Sequence, residues 1–415
     1  MAACPTSDEE VHVNQSNQMK DVCRGCATAA VRPFFDLGEL PLAGGFLTQE
    51  QVASEQSYPL LVSVCDNCGL VQIVSPVDPE ILFQDYSFAT GTVPGLVRHF
   101  DSYAQWIADT LEPKSVIEFG CNDGTLIAAL EQRGINSLGV DLAANITEMA
   151  RQEGRNVLTG AFGPGMVAEL RDQMGQVDLI TGSNVFAHNA EPGAILEAAD
   201  SLLKPDGVLC LEVMYAGDLL EQLQWDTLYH EHLTFYSLGT LGSLLQRYGF
   251  QPISAHRIPM HGGSLRLAAA RPGHRQADDS VGDLEAWERK EQLNEASTWD
   301  GFAGDCRRRI DVFRDTMRRL SSGASIWGYG AAGKATMWVN MCEMDYLGAV
   351  VDASPLRYGK LMPGTHTPIV SPEEFGRHQP DYVFVSAWNY LDAIRANEPG
   401  YRGYWIVPLP EMRIH

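Results

Sequence analysis

Two cysteine pairs stand near the start of the chain, Cys23-Arg-Gly-Cys26 and Cys65-Asp-Asn-Cys68. A Cys-x-x-Cys turn presents both sulfurs on one side of a metal, and two such turns complete the tetrahedral four-thiolate site that zinc fills. Gly69 follows the second pair and suits the tight turn. One Cys-x-x-Cys alone could be a redox pair. Two of them, with no βαβ pattern around either, read as structural zinc rather than as four unpaired buried thiols. Such a closed site does no chemistry; it holds together a segment with too few apolar residues for a core of its own. The remaining cysteines, Cys4, Cys121, Cys210, Cys306 and Cys342, are scattered and odd in number, which fits a reducing cytoplasm without a disulfide framework.

At 415 residues the chain is long enough for two or three domains. No apolar run approaches the ~18 residues of a membrane span. Met1 to Lys20 lacks the apolar stretch of a secretory signal, so residues 1–21 read as a polar, disordered tail. A formal net charge of −23 repels a phosphate backbone, and no sizeable basic patch offsets it. The expectation is therefore a cytoplasmic protein, monomer or dimer, that engages neither nucleic acid nor membrane.

The pattern divides the chain further. Residues 22–90 hold the zinc segment, with short strands at Tyr58 to Val64 and Leu70 to Val74. Residues 91–278 alternate helices with apolar strands, at Ser115 to Phe119, Ser137 to Val140, Leu179 to Thr181 and Val208 to Val213, the sequence form of a parallel sheet covered by helices. Residues 279–320 read as a polar helical linker. Residues 321–415 begin a second strand–glycine loop–helix unit, with strands at Leu347 to Val351 and Asp381 to Ser386.

The first glycine loop is Glu118-Phe-Gly120-Cys-Asn122-Asp123-Gly124. It follows a strand and opens a helix, so Gly120 and Gly124 allow close backbone approach to a ligand at a strand's carboxyl end. Asp141 ends the next strand, where a ribose diol would donate two hydrogen bonds. The leading Glu118 and the short G-x-x-x-G spacing favour S-adenosylmethionine over a dinucleotide, whose pyrophosphate asks for G-x-G-x-x-G. The alternative is a tight turn capped by Asn122 or Asp123. The fold class expected is α/β: a small N-terminal zinc-binding domain, a central class I methyltransferase Rossmann-like domain and a C-terminal Rossmann-like domain.

The two Cys-x-x-Cys pairs, the Glu118–Gly124 loop, Asn184-Val-Phe-Ala-His188, Tyr229-His-Glu-His232 and His261-Gly-Gly-Ser-Leu-Arg266 occur in this order. In that order they resemble the sugar C-methyltransferases of deoxysugar biosynthesis, from about residue 22 to the C-terminus. The resemblance implies the three-part layout, S-adenosylmethionine and zinc as cofactors, and a dTDP-linked 4-keto-6-deoxysugar as the substrate, methylated at a carbon α to the ketone, with C-3 the expected position, in an antibiotic pathway. One departure is Asp141-Leu-Ala, where the family carries the acid followed by Pro-Ser; the ribose contact is kept.

Methylating carbon requires removal of a C–H proton next to a ketone and donors that hold the enolate oxygen. His232 has the ordinary pKa of a base near neutrality, and Glu231 is expected to orient it. The resemblance places Tyr229, Glu231 and His232 in the active site, and adds Tyr86, as acid, base or oxyanion donor unless it is a packing aromatic. His188 and Asn184 close the third strand, where strand ends face the donor. His188 touches the sugar or the enolate oxygen, or is a satisfied structural histidine. The stretch from His261 to Arg266 either walls the substrate site or turns a hairpin.

The second loop, Gly328-Tyr-Gly330-Ala-Ala-Gly333-Lys334, satisfies G-x-G-x-x-G, and Asp352 follows the next strand. Read alone this is a dinucleotide site. Lys334 at a helix start suits any pyrophosphate, and the resemblance makes this lobe the holder of the nucleotide end of the substrate, with Gly330, Lys334 and Asn389 as contacts. The competing functions are an NAD-dependent oxidoreductase using this loop, and a zinc-bearing methyltransferase acting on another carbon acid or on nucleic acid.

Overall fold

The computed structural model describes residues 22–74, 77, 81–82 and 89–415; Tyr86 lies outside the described residues. Three sheets carry the chain. In the first, strands Val31–Pro41, Ser57–Cys65 and Val71–Ile73 are antiparallel neighbours. Leu60, Val62 and Val64 recur at every second residue and are wholly buried, the period of a half-buried strand. The fourth strand, Thr234–Phe235, arrives from far along the chain and pairs Phe235 with Val71 and Thr234 with Gln72.

The central sheet has seven strands in the order Gln251–Ile258, Ser264–Ala270, Leu203–Met214, Val177–Ser183, Ser115–Phe119, Asn136–Asp141 and Val157–Thr159. Its last five strands are parallel, and the first two add an antiparallel edge. Parallel strands are covered on both faces, and Val116, Ile117, Leu179 and Ile180 are accordingly buried in succession. From Ser115–Phe119 the chain winds outward, then returns to its other side with Val177–Ser183. The crevice at the carboxyl ends of these two strands is the switch point at which such sheets bind ligands.

The third sheet repeats that geometry. Its order is Ile369–Val370, Val350–Val351, Ile326–Tyr329, Tyr382–Val385, Tyr404–Val407 and Arg413–Ile414, with a switch point between Ile326–Tyr329 and Tyr382–Val385. The strand expected from Leu347 is shorter, Val350–Val351; ahead of it Gly348 closes against Trp327, where a Cβ would lie 2.5 Å from the indole nitrogen. Helices Asp279–Lys290 and Ala296–Ser321 join the lobes. The longer one packs Trp299 on Phe34 and Phe302 on Phe35, with ring centroids 6.1 and 6.5 Å apart. Further along, its Phe313 meets Trp338 at 4.6 Å and Phe384 at 5.4 Å. Among the described residues no helix is long and apolar enough to cross a membrane.

Candidate active site

The four N-terminal thiols converge. All four sulfurs lie within 4.8 Å of one another, with Cys23–Cys68 and Cys26–Cys65 separations of 3.6 Å. Zinc–sulfur bonds of about 2.3 Å in a tetrahedron place sulfurs about 3.8 Å apart, so the donor set fits zinc. Gly69 takes φ +80° to turn its amide onto the Cys65 carbonyl at 2.8 Å. The first knuckle also reaches the central domain. Arg24 donates to the Ile73 carbonyl at 2.9 Å and to the Leu233 carbonyl at 3.4 Å, and Leu233 follows His232 directly. The site is structural zinc, and it braces the segment that carries the catalytic candidates.

A cavity of about 500 Å³ opens at the central switch point. Gly120 lines it at φ +65°; a Cβ there would meet Val185 at 2.5 Å, so only glycine fits. Asp141 lines it too, accepting the Asn122 amide at 2.8 Å and the Ala143 amide at 2.9 Å, its carboxyl held above the usual range by burial. Glu118 is 2 % exposed, and its Oε2 has no hydrogen-bond partner among the described residues; burial, then the neighbouring charge of Asp141, push its carboxyl well above the ordinary value. A buried acceptor awaiting a donor, a close-approach glycine and an acid beyond the second strand suit the amino, adenosyl and ribose parts of S-adenosylmethionine. Asn122 and Asn184 also line the cavity. Asp123 and Gly124 do not. Asp123 accepts the Thr125 hydroxyl at 2.6 Å and the Gly91 amide at 2.6 Å, so it shapes the turn and ties it to the turn Thr90–Thr92 ahead of helix Pro94–Trp106.

The segment Tyr229 to His232 lies between the turn Trp225–Thr227 and strand Thr234–Phe235. Strand pairing with the zinc lobe fixes one end. At the other, the His232 Nδ1–H donates to the Thr227 carbonyl at 2.6 Å, which leaves Nε2 with the lone pair. Burial, then the neighbouring His188, hold the His232 imidazole well below its usual range, so it is neutral. The Tyr229 ring lies 3.9 Å and the His188 ring 5.0 Å from His232, centroid to centroid. His188 donates from Nδ1 to the Glu231 carbonyl at 2.7 Å, and burial lowers its pKa. All four of these residues line the cavity.

Two expectations need correction. No hydrogen bond joins the Glu231 carboxyl to His232 among the described residues. The Thr227 carbonyl orients the imidazole, while Glu231 turns toward the Gly44 amide of the zinc lobe and is pushed up to about 7 by burial. Arg266 does not wall the cavity. It forms a buried ion pair with Glu212, Nε to Oε1 2.7 Å, and stacks on Tyr103 and Trp106 at 4.1 and 4.9 Å; a cation on a central strand finds its counter-charge within the sheet. His261 does line the cavity, and it also sits in a hairpin turn with Gly262 and Gly263 at φ +99° and +135°. Burial lowers His261 to about 4.

From the C-terminal lobe, Gly333, Lys334 and Asn389 reach the same cavity. Gly330 shapes its loop at φ +94° behind them, its carbonyl accepting the Ser386 hydroxyl at 2.5 Å. Asp352, the acid a dinucleotide ribose would need, accepts the Ala331 and Ser354 amides at 2.8 Å each and pairs with Arg357 at 3.1 Å.

Three family models match the chain in succession: a putative zinc binding domain over residues 23–83, a methyltransferase domain over 97–255 and a C-methyltransferase C-terminal domain over 259–410. C-methyltransferase NovU of Streptomyces niveus is 31 % identical over 405 residues, covering 95 % of this chain and 96 % of that protein. This chain belongs to the NovU family of C-methyltransferases. The ubiquinone biosynthesis O-methyltransferase of Haemophilus ducreyi is 31 % identical over 119 residues, 27 % of this chain and 50 % of that one. The magnesium protoporphyrin IX methyltransferase of Synechocystis, solved with bound S-adenosylhomocysteine, is 20 % identical with a TM-score of 0.34, over 43 % of this chain and 84 % of that one.

The protein is an S-adenosylmethionine-dependent C-methyltransferase, and the His232 imidazole stands on the wall of the cavity at the central switch point. Three contributors to that cavity escape a reading of sequence. Gly44 and Phe46 of the zinc lobe line it, and so does Arg357, whose guanidinium lies 5.1 Å from the Phe46 ring centroid. The Gly44-Gly45 doublet marks a turn, but nothing local to it reveals that its partner is Glu231.

Proposed function

We propose that this enzyme methylates a carbon α to the ketone, C-3 in the first instance, of a dTDP-linked 4-keto-6-deoxysugar, through an enolate, in antibiotic deoxysugar biosynthesis. The observation that carries the reading is His232: its Nδ1–H is engaged by Thr227, and the ring lines the same cavity as Gly120 and Asp141. An imidazole with its Nε2 lone pair available can take up a proton made acidic by an adjacent carbonyl. S-adenosylmethionine, when bound, supplies the sulfonium methyl group. This chain's residues do the rest: His232 takes the proton, Tyr229 and His188 flank the keto group, with Tyr86 as a further candidate, and the Ala332–Lys334 turn with Asn389 takes the nucleotide-bearing side. The ion pair of Asp352 with Arg357 speaks against a nicotinamide cofactor.

The test is incubation of the full chain with S-adenosylmethionine and dTDP-4-keto-6-deoxyglucose. A product heavier by one CH2 unit, a methyl in place of the α-hydrogen, its carbon located by NMR, is expected. Absence of methylated product, or methyl on oxygen, rejects the reading.

A further inference from the structure

Lys334 opens helix Gly333–Met341 and lines the cavity. Its Nζ lies 3.4 Å from the His261 carbonyl and 4.7 Å from the centroid of the Trp388 ring. The helix start abuts the catalytic cluster: a Cβ on Gly333 would fall 2.8 Å from Cζ of Tyr229 and 3.0 Å from its hydroxyl. This is a place deep among histidines and aromatic rings. The charge of Lys334 is also felt by the two imidazoles that line the cavity near it, lowering both His232 and His261.

A half-buried ammonium gains from a nearby opposite charge. Asp226 is the acid that stands behind the same Trp388 ring, without a direct ion pair to Lys334 among the described residues. This carboxylate is 0 % exposed, and its Oδ2 accepts the indole N–H of Trp388 at 2.9 Å and of Trp338 at 3.0 Å. Its Oδ1 has no hydrogen-bond partner among the described residues. Burial lowers the Lys334 pKa, and Asp226 is the charge that opposes the shift. Trp388 thus sits with the cation over its face and the carboxylate at its N–H edge. The next residue, Thr227, holds His232. One dipeptide, Asp226-Thr227, therefore holds His232 directly and fixes the Trp388 ring on which the cation lies.

We propose that Lys334 is a catalytic residue whose ammonium hydrogen-bonds the keto oxygen of the substrate and holds the enolate charge, with Asp226 as the positioning residue that keeps it there. The proposal rests on the enolate reading above and reassigns Lys334 from the pyrophosphate to the reacting carbonyl. In the step concerned, Nε2 of His232 gains the α-proton. The C–H pair becomes the C=C bond, and the carbonyl π pair moves onto oxygen, where the Lys334 N–H donates. Lys334 keeps its proton throughout. Donors preplaced where charge develops act most strongly in a site closed to water.

The experiment follows exchange of the α-hydrogen of dTDP-4-keto-6-deoxyglucose in deuterated water, with the full-length protein and S-adenosylhomocysteine present, beside steady-state methylation. Lys334→Met is expected to lower both exchange and kcat by about 100-fold or more, with KM for the sugar nucleotide within about 3-fold. Lys334→Arg should restore part of the rate. Asp226→Asn, which keeps an acceptor for the indoles but removes the charge, should lower kcat by about 10-fold with KM unchanged. S-adenosylhomocysteine affinity by calorimetry reports folding of each variant, and if Lys334→Met does not fold, Lys334→Arg and Asp226→Asn decide. A KM raised 10-fold with kcat retained would make Lys334 a pyrophosphate ligand and overturn the proposal. Normal exchange in the variants overturns it alone; no exchange in the wild type overturns the enolate reading and the proposal with it.

Discussion

With Nδ1 of His232 donating to Thr227, Nε2 is left as the nitrogen that the proposed deprotonation uses. His232→Ala should therefore lose α-hydrogen exchange and methyl transfer together, by about 100-fold or more, while both ligands still bind. If exchange persists in His232→Ala and vanishes in Tyr86→Phe, the base is the tyrosine. On the donor side, Asp141→Ala should weaken S-adenosylmethionine binding by about 1–3 kcal/mol in calorimetry. Gly120→Val should abolish it, since Val185 fills the space a side chain needs. Glu231 gives a pH signature. Burial lifts its folded pKa to about 7, against roughly 4.3 unfolded. The stabilisation is complete below the unfolded value and is lost as pH rises through 7. Wild-type unfolding free energy should fall between about pH 5 and 8 more than that of Glu231→Gln; parallel profiles would refute the assignment. These residues differ in how openly the sequence announced them. Gly120, Asp141 and His232 belong to local patterns whose spacing carries their geometry. The partner of Glu231 and the ion pair of Arg266 do not, because Gly44 and Glu212 stand 187 and 54 positions away and only the packed lobes bring them together.

Among the elements, the short strand Thr234–Phe235 has the largest consequence. It closes the zinc-lobe sheet directly after His232, and the Arg24 of the first knuckle caps the carbonyl between them. A two-residue strand is invisible to periodicity, and the sequence suggested only a polar cluster there. The zinc knuckle and the proposed base are consequently joined through backbone. Elemental analysis should find about one zinc per chain. Cys65→Ser should lower zinc content and the unfolding temperature, and reduce kcat more than S-adenosylmethionine affinity, because the donor loop belongs to the other sheet. Equal losses of donor binding and kcat would contradict this division. The glycine loops were legible for the opposite reason: each lies wholly within one strand–turn–helix unit.

At the scale of the molecule, the cavity is assembled rather than contained. The central sheet gives Gly120 and Asp141, the segment leading into strand Thr234–Phe235 gives His232, the C-terminal lobe Lys334 and Asn389, and the zinc lobe Gly44 and Phe46. Loop Leu42 to Phe46 is where all three meet. The Ala43 carbonyl accepts the Thr336 hydroxyl at 3.0 Å, and the Gly44 amide bonds Glu231. A Cβ on Gly44 would lie 2.9 Å from the Glu231 carboxyl oxygen, so Gly44→Ala pushes that carboxyl without touching a cysteine, the donor loop or His232. The variant should keep about one zinc per chain and ordinary S-adenosylmethionine affinity, yet lose about 10-fold or more in kcat. Elemental analysis, calorimetry and turnover on one preparation separate the outcomes. Unchanged turnover would mean that the zinc lobe braces the active site from outside; a loss confined to turnover makes its loop one wall of the reaction chamber.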